Sequence, residues 1–232
     1  KDLETVEKRI EKAKKLAKTG NKEAVIEAGL LDKIRAVLLE GKSARVVVPT
    51  NEEEQDVYDS FQLITAKPVL YVCNVDEGAA VNGNAYVEQV KELVKNENAE
   101  VIVLAVGTEA DITELETYEE RQMFLEDLGL QEPGVSKLIR SAYKLLNLQT
   151  YFTAGVKEVR AWTINIGDTA PKAASVIHTD FEKGFIRAEV IAYDDYVAFG
   201  SEAKVKEAGK LRVEGKEYIV KDGDVMHFRF NV

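Results

Sequence analysis

Two polar side chains three residues apart, Asn74 and Glu77, are the first candidates for chemistry in this sequence. They follow an apolar run at residues 69–73 that is rich in β-forming residues and is preceded by a proline, so the run predicts a buried strand. A strand that is apolar on both faces is typical of a parallel sheet covered by helices. Ligands of such sheets bind at the carboxyl ends of the strands, where residues 74–77 lie.

The spacing of these side chains suggests a loop that reads a nucleotide base. In the guanine-reading form, Asn-Lys-x-Asp, the asparagine orders the loop, the lysine stem packs on the base, and the aspartate accepts from guanine. Here Val75 replaces the lysine and Glu77 takes the aspartate position. The longer carboxylate should spoil guanine reading, and backbone groups around Val75 could serve adenine instead. An ordinary strand-to-loop turn is the alternative reading of the same residues.

A second apolar run at residues 101–106 predicts the next strand, and it ends in Gly107 and Thr108. A short loop of small residues at this place could pack against the nucleotide base. The alternative is a plain turn in which Thr108 caps the helix that follows.

The tripeptide Gly41-Lys42-Ser43 copies the end of the phosphate-binding motif Gly-x-x-x-x-Gly-Lys-Ser. The first glycine of that motif is replaced by Ala36, and the tripeptide follows a predicted helix instead of a strand. We therefore interpret it as the end of a helix with a solvated lysine.

Cys73 is the only cysteine, which excludes an internal disulfide and fits a reducing cytosol, and we expect it to be buried in its strand. The only histidines, His178 and His227, have no cluster of metal-ligand residues near them in sequence, so we expect no metal site. His178 is predicted to cap the C-terminal end of a helix. Trp162 and Phe181 are predicted to be core residues.

The first 66 residues have helical periodicity. Apolar residues at three- and four-residue intervals predict helices at 1–19 and 22–40, paired as an antiparallel hairpin. Asn51 is the predicted N-cap of a third helix, which should turn Val57, Phe61 and Ile64 toward a core.

The middle of the chain alternates between strand and helix, which argues for parallel βαβ units. A predicted helix at 85–95 joins the two strands above, and predicted helices at 112–128 and 135–147 follow the second strand. Two strands cannot make a doubly wound sheet. The sequence opens without methionine in a helical pattern, so we expect the missing strands upstream of Lys1.

The last 85 residues have a pattern of short strands and helices that predicts a compact α+β module, consistent with a β-grasp. Strands are predicted at 159–164, 185–192 and 225–230, a hairpin near 212–220, and helices at 171–178 and 202–208.

The net charge of −10 argues against a general nucleic-acid binder, and no apolar run is long enough to span a membrane. Residues 1–19 differ, since seven basic and four acidic residues give them a charge of +3. A solvated helix face is the usual meaning of such a stripe. The alternative is contact with RNA phosphates through Lys8, Lys12 and Lys15.

Three long runs carry a family resemblance: LQTYFTAGVKEVRAWT at 148–163, IHTDFEKGFIRAE at 177–189 and YIVKDGDV at 218–225. They closely resemble the YchF/Obg-like ATPase family, and the likeness extends along the whole chain. The resemblance implies a coiled-coil-like helical insertion at 1–66, the C-terminal half of a P-loop nucleotide-binding domain at 67–147, and a β-grasp (TGS) domain at 148–232. The implied fold class is α/β plus α+β, with an incomplete parallel-sheet P-loop G domain.

The resemblance also implies function. The family is cytoplasmic, associates with ribosomes, and binds and hydrolyses ATP in preference to GTP with Mg²⁺. Asn74, Val75 and Glu77 match its altered base-recognition motif. The implied partners are the ribosome or its RNA and an adenine nucleotide, with neither DNA nor a membrane.

The family's P-loop, Mg²⁺-binding threonine and proposed catalytic histidine would all precede Lys1, so no catalytic residue can be carried onto this sequence. We expect this chain alone to hold no cofactor tightly and not to hydrolyse ATP, because phosphoryl transfer needs the P-loop and Mg²⁺. The alternative function is a non-catalytic module that binds RNA or the ribosome. A third is a scaffold that binds proteins through the β-grasp edge.

Overall fold

The computed structural model describes residues 1–97, 99–155 and 158–231, and it divides the chain into two compact units, Lys1–Val135 and Ser136–Val232. Residues 156 and 157, which belong to the first of the three runs above, lie outside the described part, as do 98 and 232. No helix within the described residues has the length and apolarity needed to cross a membrane.

The first unit begins with the predicted helical hairpin. Helix α1 (Asp2–Ala17) and helix α2 (Lys22–Leu39) are joined by a short turn in which Gly20 has φ +82°, a conformation that favours glycine. The Asn21 side chain accepts from the Ala24 N–H and so caps α2. The two helices and their neighbours bury a cluster of apolar side chains that includes Val6, Ile10, Leu31 and Ile34.

Helix α3 (Glu52–Ser60) starts at its predicted cap, since the Asn51 side chain accepts from the Glu54 N–H at 2.9 Å. Val57 and Phe61 are buried as expected, whereas Ile64 is 60% exposed, so that core prediction was wrong. Ile64 lies in a 3-10 turn after α3. That turn breaks the helical period on which the prediction depended.

A buried carboxylate near the start of the helical part of this unit is bonded to residues near its end. Asp2 is 7% exposed and accepts from the Ile64 N–H (3.2 Å) and from the N–H and hydroxyl of Thr65 (2.7 Å each). The Thr65 hydroxyl oxygen also accepts from the Ala44 N–H. Burial alone would raise the pKa of Asp2, but the hydrogen bonds from Thr65 and Ile64 outweigh it and hold the pKa below its ordinary value.

The strand–helix part of the first unit contains a two-stranded parallel sheet. Strand β1 (Leu70–Asn74) pairs with strand β2 (Glu100–Leu104), from Leu70 opposite Glu100 to Asn74 opposite Leu104. Helix α4 (Ala85–Val94) connects the two strands. The predicted alternation of strand and helix is therefore confirmed.

Two predictions about this part were wrong. The single helix expected at 112–128 is two helices, α5 (Val106–Glu114) and α6 (Tyr118–Asp127). They separate because Thr117 and Glu120 form a capping box that starts a new helix. Strand β1 is also less buried than expected, with Val72 44% exposed and Cys73 only half-buried. Among the described residues β1 pairs on one side only, with β2.

The second unit is built on a mixed five-stranded sheet. Helix α7 (Gly134–Leu145) leads into the sheet, whose strand order is β4-β3-β7-β5-β6. The central neighbours β3 and β7 are parallel, and the other pairs are antiparallel. In chain order the elements are β3 (Leu148–Ala154), β4 (Val159–Asn165), α8 (Ala170–Ser175), α9 (Thr179–Lys183), β5 (Phe185–Ile191), α10 (Tyr193–Phe199), α11 (Glu202–Glu207), β6 (Arg212–Glu214) and β7 (Val225–Phe230).

The sequence analysis did not predict three of these elements: β3, α9 and α10. It also misassigned His178, which is the N-cap of α9 and not the C-terminal cap of the helix before it. Its Nδ1 accepts from the Asp180 N–H at 3.2 Å. Trp162 and Phe181 are partly buried against the core around Tyr151, so they line the core without being enclosed by it.

We predict that Asp2→Asn lowers the free energy of unfolding by about 1–3 kcal/mol at pH 7, because an amide presents a donor to groups that themselves donate. The folded-state pKa of Asp2 is depressed. The difference between wild type and variant should therefore be constant above the unfolded-state pKa of about 3.9 and shrink as pH falls through the folded-state pKa. Urea unfolding between pH 7 and pH 2.5 measures both.

The matched control is Asp32→Asn, whose carboxylate makes a half-exposed ion pair with Lys14 and should change stability by less than about 1 kcal/mol. If the two variants lost the same free energy of unfolding, the buried hydrogen bonds of Asp2 would contribute no more to stability than an exposed ion pair does.

Candidate nucleotide-base site

Asn74 ties together the ends of the two parallel strands. It is the last residue of β1, and its side-chain oxygen accepts from the Val106 N–H at 3.1 Å. The next residue, Val75, donates its N–H to the Leu104 carbonyl at 3.0 Å. The loop after β1 is thus attached at two points to the end of β2 and the start of α5.

The Asn74 contact also explains how α5 begins. The first N–H groups of a helix have no partner inside the helix. The N-cap residue Ala105 has no side chain that could accept from them. The Asn74 oxygen fills that role from the neighbouring strand, so this side chain caps a helix from outside it.

The prediction that Thr108 caps this helix was wrong. Thr108 lies inside the first turn of α5, because the helix starts at Val106 within the residues predicted to be strand. Its side chain is 3% exposed, and its hydroxyl has no hydrogen-bond partner among the described residues. The short loop of small residues expected at 105–108 is therefore helical from Val106 onward.

Glu77 is presented to solvent. It is exposed and opens a short 3-10 turn, Glu77–Ala79, in which the Ala79 N–H donates to the Asp76 carbonyl at 2.9 Å. The structure gives the Glu77 carboxylate no hydrogen bond or ion pair within the part of the chain that it describes. Its oxygens are therefore free to accept hydrogen bonds from another molecule.

A cleft of about 430 Å³ lies beside β1. Asn74 and Val75 line one end of it, and Tyr86, which is 76% exposed, lines it from α4. Asn84 caps α4 by accepting from the Tyr86 and Val87 N–H groups, which fixes this wall. The sequence analysis missed Asn84 and Tyr86, although an asparagine just before an apolar helical pattern is a recognisable N-cap signal.

A polar network anchors β1 on the side of Tyr71. The Tyr71 hydroxyl and the Arg45 guanidinium both donate to one oxygen of Glu97, each at 2.8 Å. The hydrogen bonds from Tyr71 and then Arg45 hold the pKa of Glu97 below its ordinary range, and the same contact raises the pKa of Tyr71. This network joins the helical part of the first unit to its strands.

The three candidate RNA-binding lysines share one face of α1, at positions separated by four and three residues. Lys8, Lys12 and Lys15 are all exposed. Lys8 pairs with Glu4 at 2.6 Å, but both side chains are mostly exposed, so the pair contributes little. Lys12 and Lys15 have no carboxylate partner among the described residues.

Gly41-Lys42-Ser43 is the end of a helix, as interpreted from the sequence. Gly41 has φ +76° directly after α2, and the Lys42 ammonium pairs with Glu40. No group of three or more His, Cys, Asp or Glu side chains is arranged to hold a metal ion within residues 1–97, 99–155 and 158–231.

We predict that Asn74→Ala frees the start of α5, since the Val106 N–H loses its acceptor. Amide hydrogen exchange at Val106 should accelerate roughly two- to tenfold, as expected for one net hydrogen bond of about 0.5–1.5 kcal/mol. Asn74→Asp keeps an acceptor and should preserve protection. Asn84→Ala is the matched control, because it removes an asparagine cap from α4 instead. Unchanged protection at Val106 in Asn74→Ala would contradict this role.

Comparison with known proteins gives a consistent result. The family model YchF-GTPase_C, described as a protein of unknown function (DUF933), matches residues 148–231. Proteins named ribosome-binding ATPase YchF from Haemophilus ducreyi and Bacillus subtilis are each 54% identical to this chain over 231 and 233 residues. Each alignment covers 100% of this chain and 63% of the relative.

A solved structure agrees with the sequence comparison. The Schizosaccharomyces pombe YchF GTPase matches with a TM-score of 0.83 and 34% identity, over 98% of this chain and 62% of that one. Its mixed α/β fold, with parallel and mixed sheets, is the fold described above. The chain spans about 63% of the length of the curated relatives, and by sequence and by fold it belongs to the YchF family.

Proposed function

We propose that this chain is part of a YchF-type protein that binds and hydrolyses ATP, with GTP used less well, and that associates with the ribosome in the cytoplasm. The relatives from H. ducreyi and B. subtilis are named ribosome-binding ATPases. The observation that carries the proposal is the loop at 74–77, where Asn74 is held by the Val106 N–H and lines the cleft beside β1, and where the Glu77 carboxylate is exposed to solvent. The partners we propose are an adenine nucleotide and ribosomal RNA, with neither DNA nor a membrane.

In this proposal the chain contributes base recognition. The Val75 N–H is already used by Leu104, so the Val75 carbonyl is the group that would accept from the 6-amino group of adenine. Guanine carries a carbonyl at that position, which would face this carbonyl unfavourably. Asn74 would hold the loop in place, and Glu77 would occupy the position from which a shorter carboxylate reads guanine.

The chemistry of hydrolysis would come from elsewhere in the protein. The 232 residues contain no Gly-x-x-x-x-Gly-Lys-Ser/Thr sequence. We propose that the residues holding the phosphates and Mg²⁺ lie in the part of the relatives that this chain does not span. This chain by itself would then bind nucleotide weakly and would not hydrolyse it.

The three-part domain division also belongs to the proposal. Residues 1–66 would be a coiled-coil-like insertion, and the hydrogen bonds between Asp2 and Thr65 support this because they bring the two ends of the segment together. Residues 67–147 would be half of a P-loop domain, supported by the parallel pairing of β1 and β2. Residues 148–232 would be the TGS domain, supported by a sheet whose first and last strands are parallel central neighbours.

The second candidate is a module that binds RNA or the ribosome without catalysis. The exposed lysine face of α1 favours it, because Lys12 and Lys15 are not neutralised by a described carboxylate. The two candidates differ in nucleotide dependence. The first candidate is favoured if a longer protein, which also contains the part of the relatives that this chain does not span, hydrolyses ATP. The second is favoured if nucleotide does not change binding to the ribosome.

For base selectivity, we predict that Glu77→Asp in the full-length protein shifts the ratio of ATP to GTP affinity toward GTP by about tenfold, the size of one hydrogen bond to a charged group. The swap should leave the fold unchanged, since the carboxylate is exposed. Asp76→Glu is the control at the neighbouring position. Equilibrium titration with fluorescent ATP and GTP analogues gives the ratio, and an unchanged ratio would refute base reading by Glu77.

For ribosome association, we predict that changing Lys8, Lys12 and Lys15 together to glutamate weakens co-sedimentation with ribosomes. The slope of log affinity against log salt should fall by up to about 0.7–0.9 for each RNA phosphate that the variant no longer neutralises.

The control carries the same change of charge at Lys204, Lys206 and Lys216, all exposed in the second unit. If the two triple variants bind alike, the α1 lysines are a solvated surface.

A further inference from the structure

The first turn of α5 is bonded to two other parts of the first unit. At its start, the Asn74 side-chain oxygen accepts from the Val106 N–H at 3.1 Å. Within the turn, the Glu109 N–H donates to the Ala105 carbonyl at 3.0 Å, which is the first hydrogen bond of the helix. The Glu109 side chain then reaches the start of α7. A single turn of helix therefore lies between the candidate base loop and another helix.

Glu109 caps α7 from outside that helix. One of its carboxylate oxygens accepts from the Gly134 N–H at 2.6 Å, and the other accepts from the Val135 N–H at 3.1 Å. These are the first two N–H groups of α7, and such groups have no partner inside their own helix. A carboxylate at the start of a helix also interacts favourably with the helix dipole. The start of α7 is therefore held by a charged side chain that belongs to α5.

Gly134 allows the start of α7 to lie this close to α5 and β2. A Cβ atom at this position would overlap the Leu104 Cδ1 atom and would lie 2.9 Å from the Glu109 Oε1 atom. Leu104 is the last residue of β2, and its carbonyl accepts from the Val75 N–H of the candidate base loop. The start of α7 and the base loop therefore both adjoin the end of β2.

The first turn of α5 is a weak part of that helix. Its N-cap residue, Ala105, supplies no side-chain acceptor. Thr108 lies in the same turn, and its buried hydroxyl has no hydrogen-bond partner among the described residues, which is unfavourable. Helix ends with few internal hydrogen bonds open more readily than helix centres. The turn therefore depends on its contact with Asn74 to stay closed, and a frayed turn is the alternative state.

We propose that α5 transmits the binding of an adenine nucleotide at residues 74–77 to α7. A base bound by this loop would restrain Asn74, keep the first turn of α5 closed, and so hold Glu109 in the position from which it caps α7. A frayed turn would withdraw the carboxylate and leave the first N–H groups of α7 without their acceptor. Glu109 is thus a positioning residue. The inference rests on the base site proposed above.

The coupling acts in both directions. A ligand that favours the closed turn also favours the α7 cap, and by linkage the cap favours binding of the ligand by the same factor. Helix α7 begins in the first unit and continues into the second from Ser136. The base loop would in this way affect the segment that connects the two units in sequence.

Amide hydrogen exchange at Gly134 and Val135 measures the cap directly. The full-length protein is used because it is the form proposed to bind ATP. Saturating ATP should slow exchange at both amides about five- to tenfold, a coupling of ordinary size between linked sites. Glu109→Ala should accelerate exchange at both amides and abolish the effect of ATP on them. It should also weaken ATP affinity by the same factor of about five to ten, measured by titration with a fluorescent ATP analogue.

Further variants separate coupling from a purely structural role. Glu109→Gln keeps one oxygen acceptor and should retain part of the ATP effect, and it carries the test if Glu109→Ala does not fold. Glu114→Ala removes an exposed carboxylate at the other end of α5 and should change neither exchange nor affinity. Without nucleotide, Asn74→Ala should accelerate exchange at the two α7 amides as well as at Val106, whereas Asn84→Ala should not affect the α7 amides.

Three results would overturn the inference and leave base recognition in place. They are bound ATP with unchanged exchange at Gly134 and Val135, wild-type ATP affinity in Glu109→Ala, and wild-type exchange at the α7 amides in Asn74→Ala. If ATP does not bind to the full-length protein, the proposed function fails and the inference fails with it.

Discussion

The hydrogen bond from the Val106 N–H to the Asn74 side chain joins two strand ends that parallel pairing alone would leave as separate loops. Parallel strands end on the same edge of a sheet, so β1 and β2 place residues 74–77 beside the start of α5. The loop cannot move without uncapping that helix. A polar side chain at the end of a strand thus holds the first residues of a surface loop in place.

The same use of polar contacts at junctions recurs through the first unit. Its described apolar cluster lies within the helical part, around α1, α2 and α3. Asp2 and Thr65 close that part, and Arg45 and Tyr71 meet on Glu97 to attach it to β1. Polar contacts of this kind are geometrically specific, whereas apolar packing tolerates small shifts. The position of β1 is therefore set by a few directional bonds.

Sequence patterns predicted the features that depend on nearby residues in the chain. They did not predict the features that depend on contacts between residues far apart in sequence. The α1–α2 hairpin, the Asn51 cap and the strand at β7 follow from periodicity and capping chemistry, and each is present. Strand β3 was missed because its burial alternates through polar Gln149, which is satisfied by the Val220 carbonyl far along the chain.

The candidate site shows the same limit. Asn74 was identified from its position after an apolar run, but nothing in the local sequence indicated that it would cap α5. Thr108 looked like a cap because the strand was expected to continue to Val106, and only the pairing register shows that β2 ends at Leu104. Tyr86 and Asn84 join the cleft through the way α4 packs, which no spacing in the sequence encodes.

The net charge of −10 does not conflict with RNA as a partner, because the range of charge interactions in salt is short. The Debye length is about 8 Å at physiological ionic strength, so an exposed lysine face on α1 is felt locally even on an acidic chain. Contacts between the α1 lysines and RNA phosphates, as proposed above, would weaken strongly as the salt concentration rises. The local distribution of basic side chains, and not the total charge, would therefore decide whether the proposed contact with RNA forms.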